Sequence, residues 1–305
     1  MADQKTTIPK GWKMTTLGEV ADILSGSTPS TKEESYWDGD IPWITPKDLS
    51  GYSSMYISRG ERNITEDGLH NSSARKLPQN TILFSSRAPI GYVVIAKNEV
   101  TTNQGFKNIV TDEKNSHFKY FYYWLKNNSD YIEKLSSGST FSEASASVMR
   151  SLHVDLPQLP EQRAIAAVLS SLDDKIELLR EQNKTLEAIA QAIFKEWFVK
   201  FNFPDKNGKP YRDSEGKMID SELGEIPEGW RVGKIKDLID ILSGFAFQSS
   251  SFSDDGKYKL VTIKNVQDRN FVFNKTDRIS EIPNKMPDYC QLKSGDILLS
   301  LTGNV

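Results

Sequence analysis

LPEQRAIAAVLSSLDDKIELLREQNKTLEAIAQAIFKEWFVKF, residues 159–201, settles the architecture of the 305-residue chain. Within it Ile165, Leu169, Leu172, Ile176, Leu179, Asn183, Leu186, Ala190, Ile193 and Trp197 follow one another in alternating steps of four and three. That is the spacing of a coiled-coil seam, because a helix of 3.6 residues per turn gathers such positions on one stripe. Pro160 suits a first helical turn, where its missing N–H is not needed, and Pro204 ends the pattern. At 1.5 Å per residue the helix is roughly 60 Å long. One small domain cannot cover it, so the stripe calls for a partner helix. Asn183 interrupts the seam with the kind of polar residue that fixes register or partner number at some cost in stability.

Outward from the helix, the chain repeats itself. IPKGWKMTTLGEVADILSG (8–26) returns as IPEGWRVGKIKDLIDILSG (226–244), 218 residues later. Ile8, Pro9, Gly11, Trp12, Asp22, Ile23, Leu24, Ser25 and Gly26 all meet identical residues, while Leu17 meets Ile235 and Val20 meets Leu238. Trp43-Ile44-Thr45 falls in a segment resembling Leu260-Val261-Thr262, and LPQNTILFSSRAPI (77–90) parallels LKSGDILLSLTGNV (292–305). Short apolar runs such as Ile82 to Phe84 and Ile297 to Leu299, punctuated by Gly, Pro, Ser and Asp, predict strands and turns. The first copy continues through GYVVIAKNEVTTNQGFKNIV, a strand-like stretch, and HFKYFYYWLKNNSDYIEKL, an aromatic-rich helix; the second reaches Val305 without them.

The expected organisation is therefore a mixed α/β (α+β) domain over 1–157 and a long coiled-coil-forming helix over 158–202. A solvated linker over 203–225 and the first part of a second, homologous domain over 226–305 complete it. A truncation within that second domain would leave the helical stripe to a second copy of the chain.

Bulk properties narrow the function. A formal net charge of −3 and a pI near 5.8 exclude a uniformly basic surface, so any DNA contact needs cations gathered on one face or supplied by a partner. No apolar run approaches the roughly 18 residues that span a bilayer. The start, MADQKTTIPKGW, lacks the apolar core of a signal peptide, and a single Cys290 suits a reducing cytoplasm.

Catalytic signatures are missing. His70, His117 and His153 are scattered, and no Cys–His cluster has metal-ligand spacing. No phosphate-binding loop, dinucleotide fingerprint, AdoMet-binding FxGxG, NPP[FY] or nucleophile elbow occurs. Pro204-Asp205 followed by Glu215-Gly216-Lys217 spells the PD…ExK pattern of Mg²⁺-dependent nucleases, but it lies in a Gly-, Asp- and Lys-rich stretch rather than on adjacent strands.

Polar loops offer recognition chemistry instead. TTNQGFKN (101–108) carries Asn103 and Gln104, whose amides can bond adenine edges, and Lys107, which can reach guanine or phosphate. SSGSTFSEAS (136–145) offers Ser139 and Thr140 as small hydroxyls for phosphate, SSRAPIGY (85–92) presents Arg87, and IPWITPKDLS (41–50) presents Lys47.

IPxGWxxxxLGEV…SG, IPWITPKDLS, TTNQGFKNI, the LPxLPEQRxIAxxL…DxKIELL opening of the helix and SELGEIPEGW together resemble the specificity (S) subunit of type I restriction–modification systems. The resemblance covers essentially the whole chain. It implies a non-catalytic subunit with two target-recognition domains, each reading half of an interrupted double-stranded DNA site. It also implies two long helices that pair antiparallel between those domains. It further implies methylation (M) subunits carrying AdoMet and a restriction (R) subunit carrying ATP and Mg²⁺, with no cofactor on the S chain itself. The other open reading is a coiled-coil adaptor that assembles proteins without sequence specificity of its own.

Overall fold

The computed structural model describes residues 9–87, 89–136, 143–267, 270–273 and 276–300. The chain forms two compact units, 1–193 and 194–305.

The first unit begins with β1 (Lys13–Thr16), a one-turn helix α1 (Leu17–Val20) and β2 (Ala21–Ser25). Then follow β3 (Trp37–Ile44), β4 (Tyr56–Ile57), β5 (Arg62–Ile64), α2 (Glu66–His70), β6 (Ile82–Ser85), β7 (Val93–Ala96), β8 (Thr101–Thr102) and β9 (Phe106–Thr111). The helices α3 (Phe118–Asn127), α4 (Ser129–Ser136) and α5 (Ala146–Ser151), the strand β10 (His153–Leu156) and the long helix α6 (Leu159–Phe194) complete it.

A five-stranded sheet of order β2-β9-β6-β7-β4 carries the core. Its strands β6 (ILFS) and β7 (VVIA) are apolar at nearly every position because both sheet faces are covered. Ile82, Phe84, Ile95 and Ile109 face Phe121, Leu125, Ile132 and Met149 of the helices. The alternate residues Leu83, Val94, Ala96 and Phe106 pack against Ile44, Leu49, Ile57 and Leu77. A second sheet of order β5-β3-β8 sits around Trp37 and Trp43, whose rings meet edge to face at 4.9 Å. The aromatic-rich stretch expected as one helix is two, broken at Asn128, whose side-chain amide donates back to Trp124 O at 2.8 Å.

β1 and β10 pair antiparallel, which returns the end of the domain to its beginning just before α6 starts. The helix then lies on the domain through its first six turns. The buried Gln162 donates from Nε2 to Asn115 O and Pro157 O and accepts from His117 N–H, all within 3.0 Å. Ala166 and Ser170 are buried beyond it. Tyr123 donates its hydroxyl to Asp173 Oδ2 at 2.7 Å, Ser54 donates to Glu177 at 3.0 Å, and Arg180 donates to Ser53 O at 3.0 Å.

The coiled-coil seam lies on a neighbouring face of α6, and two of its positions are corrected. Ile165 packs against the domain core and Leu169 is half-buried, so the seam opens only beyond them. Leu172, Ile176, Leu179, Asn183, Leu186, Ala190 and Ile193 are exposed. The α-helical phase ends at Phe194, and a π-helical turn, Lys195–Val199, follows it, with Trp197 exposed within that turn. Its ring lies 6.4 Å from that of Phe198 in the second unit.

In the second unit the segment expected as a solvated linker is largely exposed but organised. Phe203 lies between Tyr211 and Trp230, stacked at 4.7 and 5.7 Å. Short strands β11 (Met218–Ile219) and β12 (Ile226–Pro227) pair beside them. Farther on, β13 (Tyr258–Leu260) pairs with β16 (Asp277–Ile279), and β14 (Val266–Gln267) with β15 (Asn270–Phe271). Ile297 to Leu299, expected as a strand, forms none, and Ile297 is 94% exposed. Its first-copy counterpart β6 lies between β9 and β7, and no described strand of the second unit takes either place.

Candidate nucleic-acid interface

The turn between β8 and β9 links the three-stranded and five-stranded sheets of the first unit. β8 runs parallel to β3, with Trp43 opposite Thr101 and Ile44 opposite Thr102, and Asn103 N–H continues the pairing to Ile44 O at 3.0 Å. The Asn103 side-chain oxygen then accepts from Gly105 N–H at 3.0 Å, a turn that asparagine makes readily. A Cβ at position 105 would lie 2.9 Å from Pro46 Cγ, so glycine is what lets the turn sit against the Pro46-Lys47 segment. Gly105 O accepts from both the backbone and the hydroxyl of Ser86, at 2.8 and 3.1 Å. The loops of Lys47, Gln104 and Arg87 therefore converge around Gly105.

Within this junction the side chains have distinct environments. Thr101, Thr102 and residues 105–109 are buried, Asn103 is half-buried, and Gln104 is exposed with its amide oxygen accepting from the Thr28 hydroxyl. Lys47 is exposed and paired with Glu61 at 2.9 Å, an ion pair and hydrogen bond that raise its pKa. Ser139 and Thr140 lie outside the described residues.

Lys107 departs from the phosphate-contacting role its sequence suggests. Its side chain is only 5% exposed, and Nζ lies 3.0 Å from Glu143 Oε1 and 3.2 Å from Ser86 Oγ. Strand alternation puts residue 107 on the helix-covered face with Ile109, while the carboxylate arrives from a segment 36 residues later in the chain. The second oxygen, Oε2, meets Arg87 Nη2 at 3.1 Å, and the Arg87 side chain is half-exposed. Burial alone would raise the Glu143 carboxyl, but the hydrogen bonds and charges of Lys107 and Arg87 outweigh it and hold it below its usual value. Glu143 and Ser86 are thus site residues that loop composition did not single out. The acidic residue beside two hydroxyls in FSEAS was the only signal.

The PD…ExK pattern assembles nothing comparable. Asp205 Oδ1 accepts from the backbone of Asn207 and Lys209, both at 2.8 Å, and Lys217 pairs with Glu228. Among the described residues no group of three His, Cys, Asp or Glu could hold a metal ion, and no helix is long and apolar enough to cross a membrane.

Residues 9–188 match the family model described as the type I restriction modification DNA specificity domain. The chain belongs to that family. Among curated specificity-domain relatives, it is 43% identical over 277 residues to the type I restriction enzyme MjaIX specificity subunit of Methanocaldococcus jannaschii, covering 90% of this chain and 62% of that one. It is 26% identical over 303 residues to the MjaVIII specificity subunit of the same organism, covering 96% of this chain and 64% of that one. The chain thus spans less than two thirds of either relative. A solved S subunit of a type-I restriction-modification system from M. genitalium superposes with a TM-score of 0.47 at 18% identity, over 85% of this chain and 60% of that one. The mixed sheets and long helix match the architecture expected of a specificity subunit.

Proposed function

We propose that the first unit reads one half of a two-part double-stranded DNA target and directs adenine methylation and restriction by partner subunits, without catalysing either. The observation that carries this reading is the 101–109 stretch. Its backbone is fixed on both sides of a single exposed amide, Gln104, so a recognition group is presented from a rigid scaffold. AdoMet, ATP and Mg²⁺ belong, on this reading, to the methylation and restriction subunits. The acidic chain alone binds DNA weakly, because it has little counterion release to offer, and its methylation partner supplies the missing charge.

The exposed stripe from Leu172 to Ile193 suits an equal helix. We assign it to a second copy of this chain, antiparallel about a twofold axis, since the stripe is long and apolar enough to be self-complementary. The adaptor reading shares this stripe but gives no role to the Gly105 junction.

The test is binding of the complex with its methylation subunit to duplexes carrying its methylated site. Gln104→Ala should lose about 1–3 kcal/mol for that site and relax its base preference, with Thr28→Ala weaker in the same direction. Unchanged affinity and preference in Gln104→Ala would remove this turn from the reading surface.

A further inference from the structure

One carboxylate serves two cations at the edge of the junction. Glu143 bridges Lys107 at 3.0 Å and Arg87 at 3.1 Å, so the three side chains carry a net charge of +1. The two cations are not equivalent. Lys107 is 5% exposed and Arg87 is 51% exposed, so the charge that Glu143 leaves uncompensated is accessible only at Arg87. A buried ammonium needs its counter-charge, because removing one partner strands the other away from water. Lys107 therefore holds Glu143 firmly, while Arg87 sits at the wet end of the bridge and can take a second anion.

The backbone makes the bridge a clasp. Arg87 and Glu143 face each other in an antiparallel bridge, and Ala144 N–H donates to Ser86 O at 2.9 Å. Lys107 also donates to the Ser86 hydroxyl, next to Arg87 in the chain. The strand β9 thereby fixes both loops at once.

We infer that Lys107 is a positioning residue for Arg87: by holding Glu143 against β9 and neutralising it there, it leaves the charge of the Arg87 guanidinium uncompensated and free to meet a DNA phosphate. This rests on the reading that the junction meets DNA. A buried lysine would then control a contact it cannot itself make.

The experiment is the salt dependence of binding by the complex of full chain and methylation subunit, to a duplex bearing its mapped methylation site. Each phosphate contact steepens the plot of log affinity against log salt by about 0.9. Arg87→Ala should flatten it by that amount. Lys107→Met should flatten it nearly as much despite its burial, because Glu143 then neutralises Arg87. The double variant Arg87→Ala/Lys107→Met should be no flatter than either single one, as residues acting through one contact are not additive.

Lys107→Met/Glu143→Gln should return the wild-type steepness, since Arg87 is again uncompensated. That pair also removes both buried charges together, so it keeps the proposal testable if Lys107→Met alone fails to fold. Wild-type steepness in folded Lys107→Met, additive loss in the double variant, or no recovery in Lys107→Met/Glu143→Gln would each overturn the proposal while leaving DNA recognition standing. A wild-type complex that does not bind its site would instead overturn the functional reading beneath it.

Discussion

Leu17, Val20 and Ile23 are buried in the first copy of the repeat, whereas their counterparts Ile235, Leu238 and Ile241 are 66, 82 and 71% exposed in the second. The hairpins behave in the opposite way. Ile41 opposite Ile64 and Trp43 opposite Arg62 reappear as Tyr258 opposite Ile279 and Leu260 opposite Asp277. Each hairpin has a glycine at the equivalent place, Gly39 within β3 and Gly256 just before β13, where a Cβ would lie 2.6 Å from the partner strand's backbone. Each leads into the same capped turn, in which Thr45 bonds Asp48 and Thr262 bonds Asn265.

The difference lies in where the partners come from. β3 and β5, like β13 and β16, belong to neighbouring stretches, so each pair forms within its own copy. β2 pairs only with β9, which also carries β6, and α1 packs against α5. Among the described residues of the second unit nothing takes the place of β9, β10 or α5. A local hairpin thus keeps its structure wherever its sequence goes, while a strand that relies on a distant hub does not.

The comparison breaks most readily at the opening segment. Ile23→Ala removes a fully packed side chain and should cost the first unit about 2–5 kcal/mol. Ile241→Ala should change the second unit by no more than about 0.5 kcal/mol, as at other exposed positions. Amide hydrogen exchange reads the two units separately, and equal losses would mean that 238–244 is packed after all.

The hairpin glycines sharpen the other half of the contrast. Gly39→Ala and Gly256→Ala both press on backbone, so each should cost about 1–3 kcal/mol by overpacking, seen as faster exchange in β5 and β16 alike. The smallest effect belongs to the capped turns. Thr45→Ala and Thr262→Ala should each cost about 1 kcal/mol, and a loss confined to one copy would show that the turns are not equivalent.

Much of this was legible in the sequence, because it was written twice or written periodically. The repeat matched Trp43-Ile44-Thr45 to Leu260-Val261-Thr262, the ends of the equivalent strands β3 and β13, and alternating steps of four and three located α6. The face of α6 that docks was not legible: Gln162, Asp173, Glu177 and Arg180 are polar, and they bind the domain by hydrogen bonds that leave no hydrophobic pattern. Lys107 was misread for a related reason. TTNQGFKN looks like a uniformly polar loop, but only Gln104 within it is exposed, and the charge that allows Lys107 to be buried comes from Glu143. Long-range electrostatic pairing has no local signature.

The central claim is that the Gly105 junction of the first unit sets DNA specificity, presented twice when α6 pairs with a second copy. Mapping methylated adenines in DNA from cells expressing this chain with its methylation partner tests it directly. The account predicts an interrupted palindrome, with both halves changing together in the Gln104→Ala variant. A methylated site that is not palindromic and is left unaltered by Gln104→Ala would contradict it.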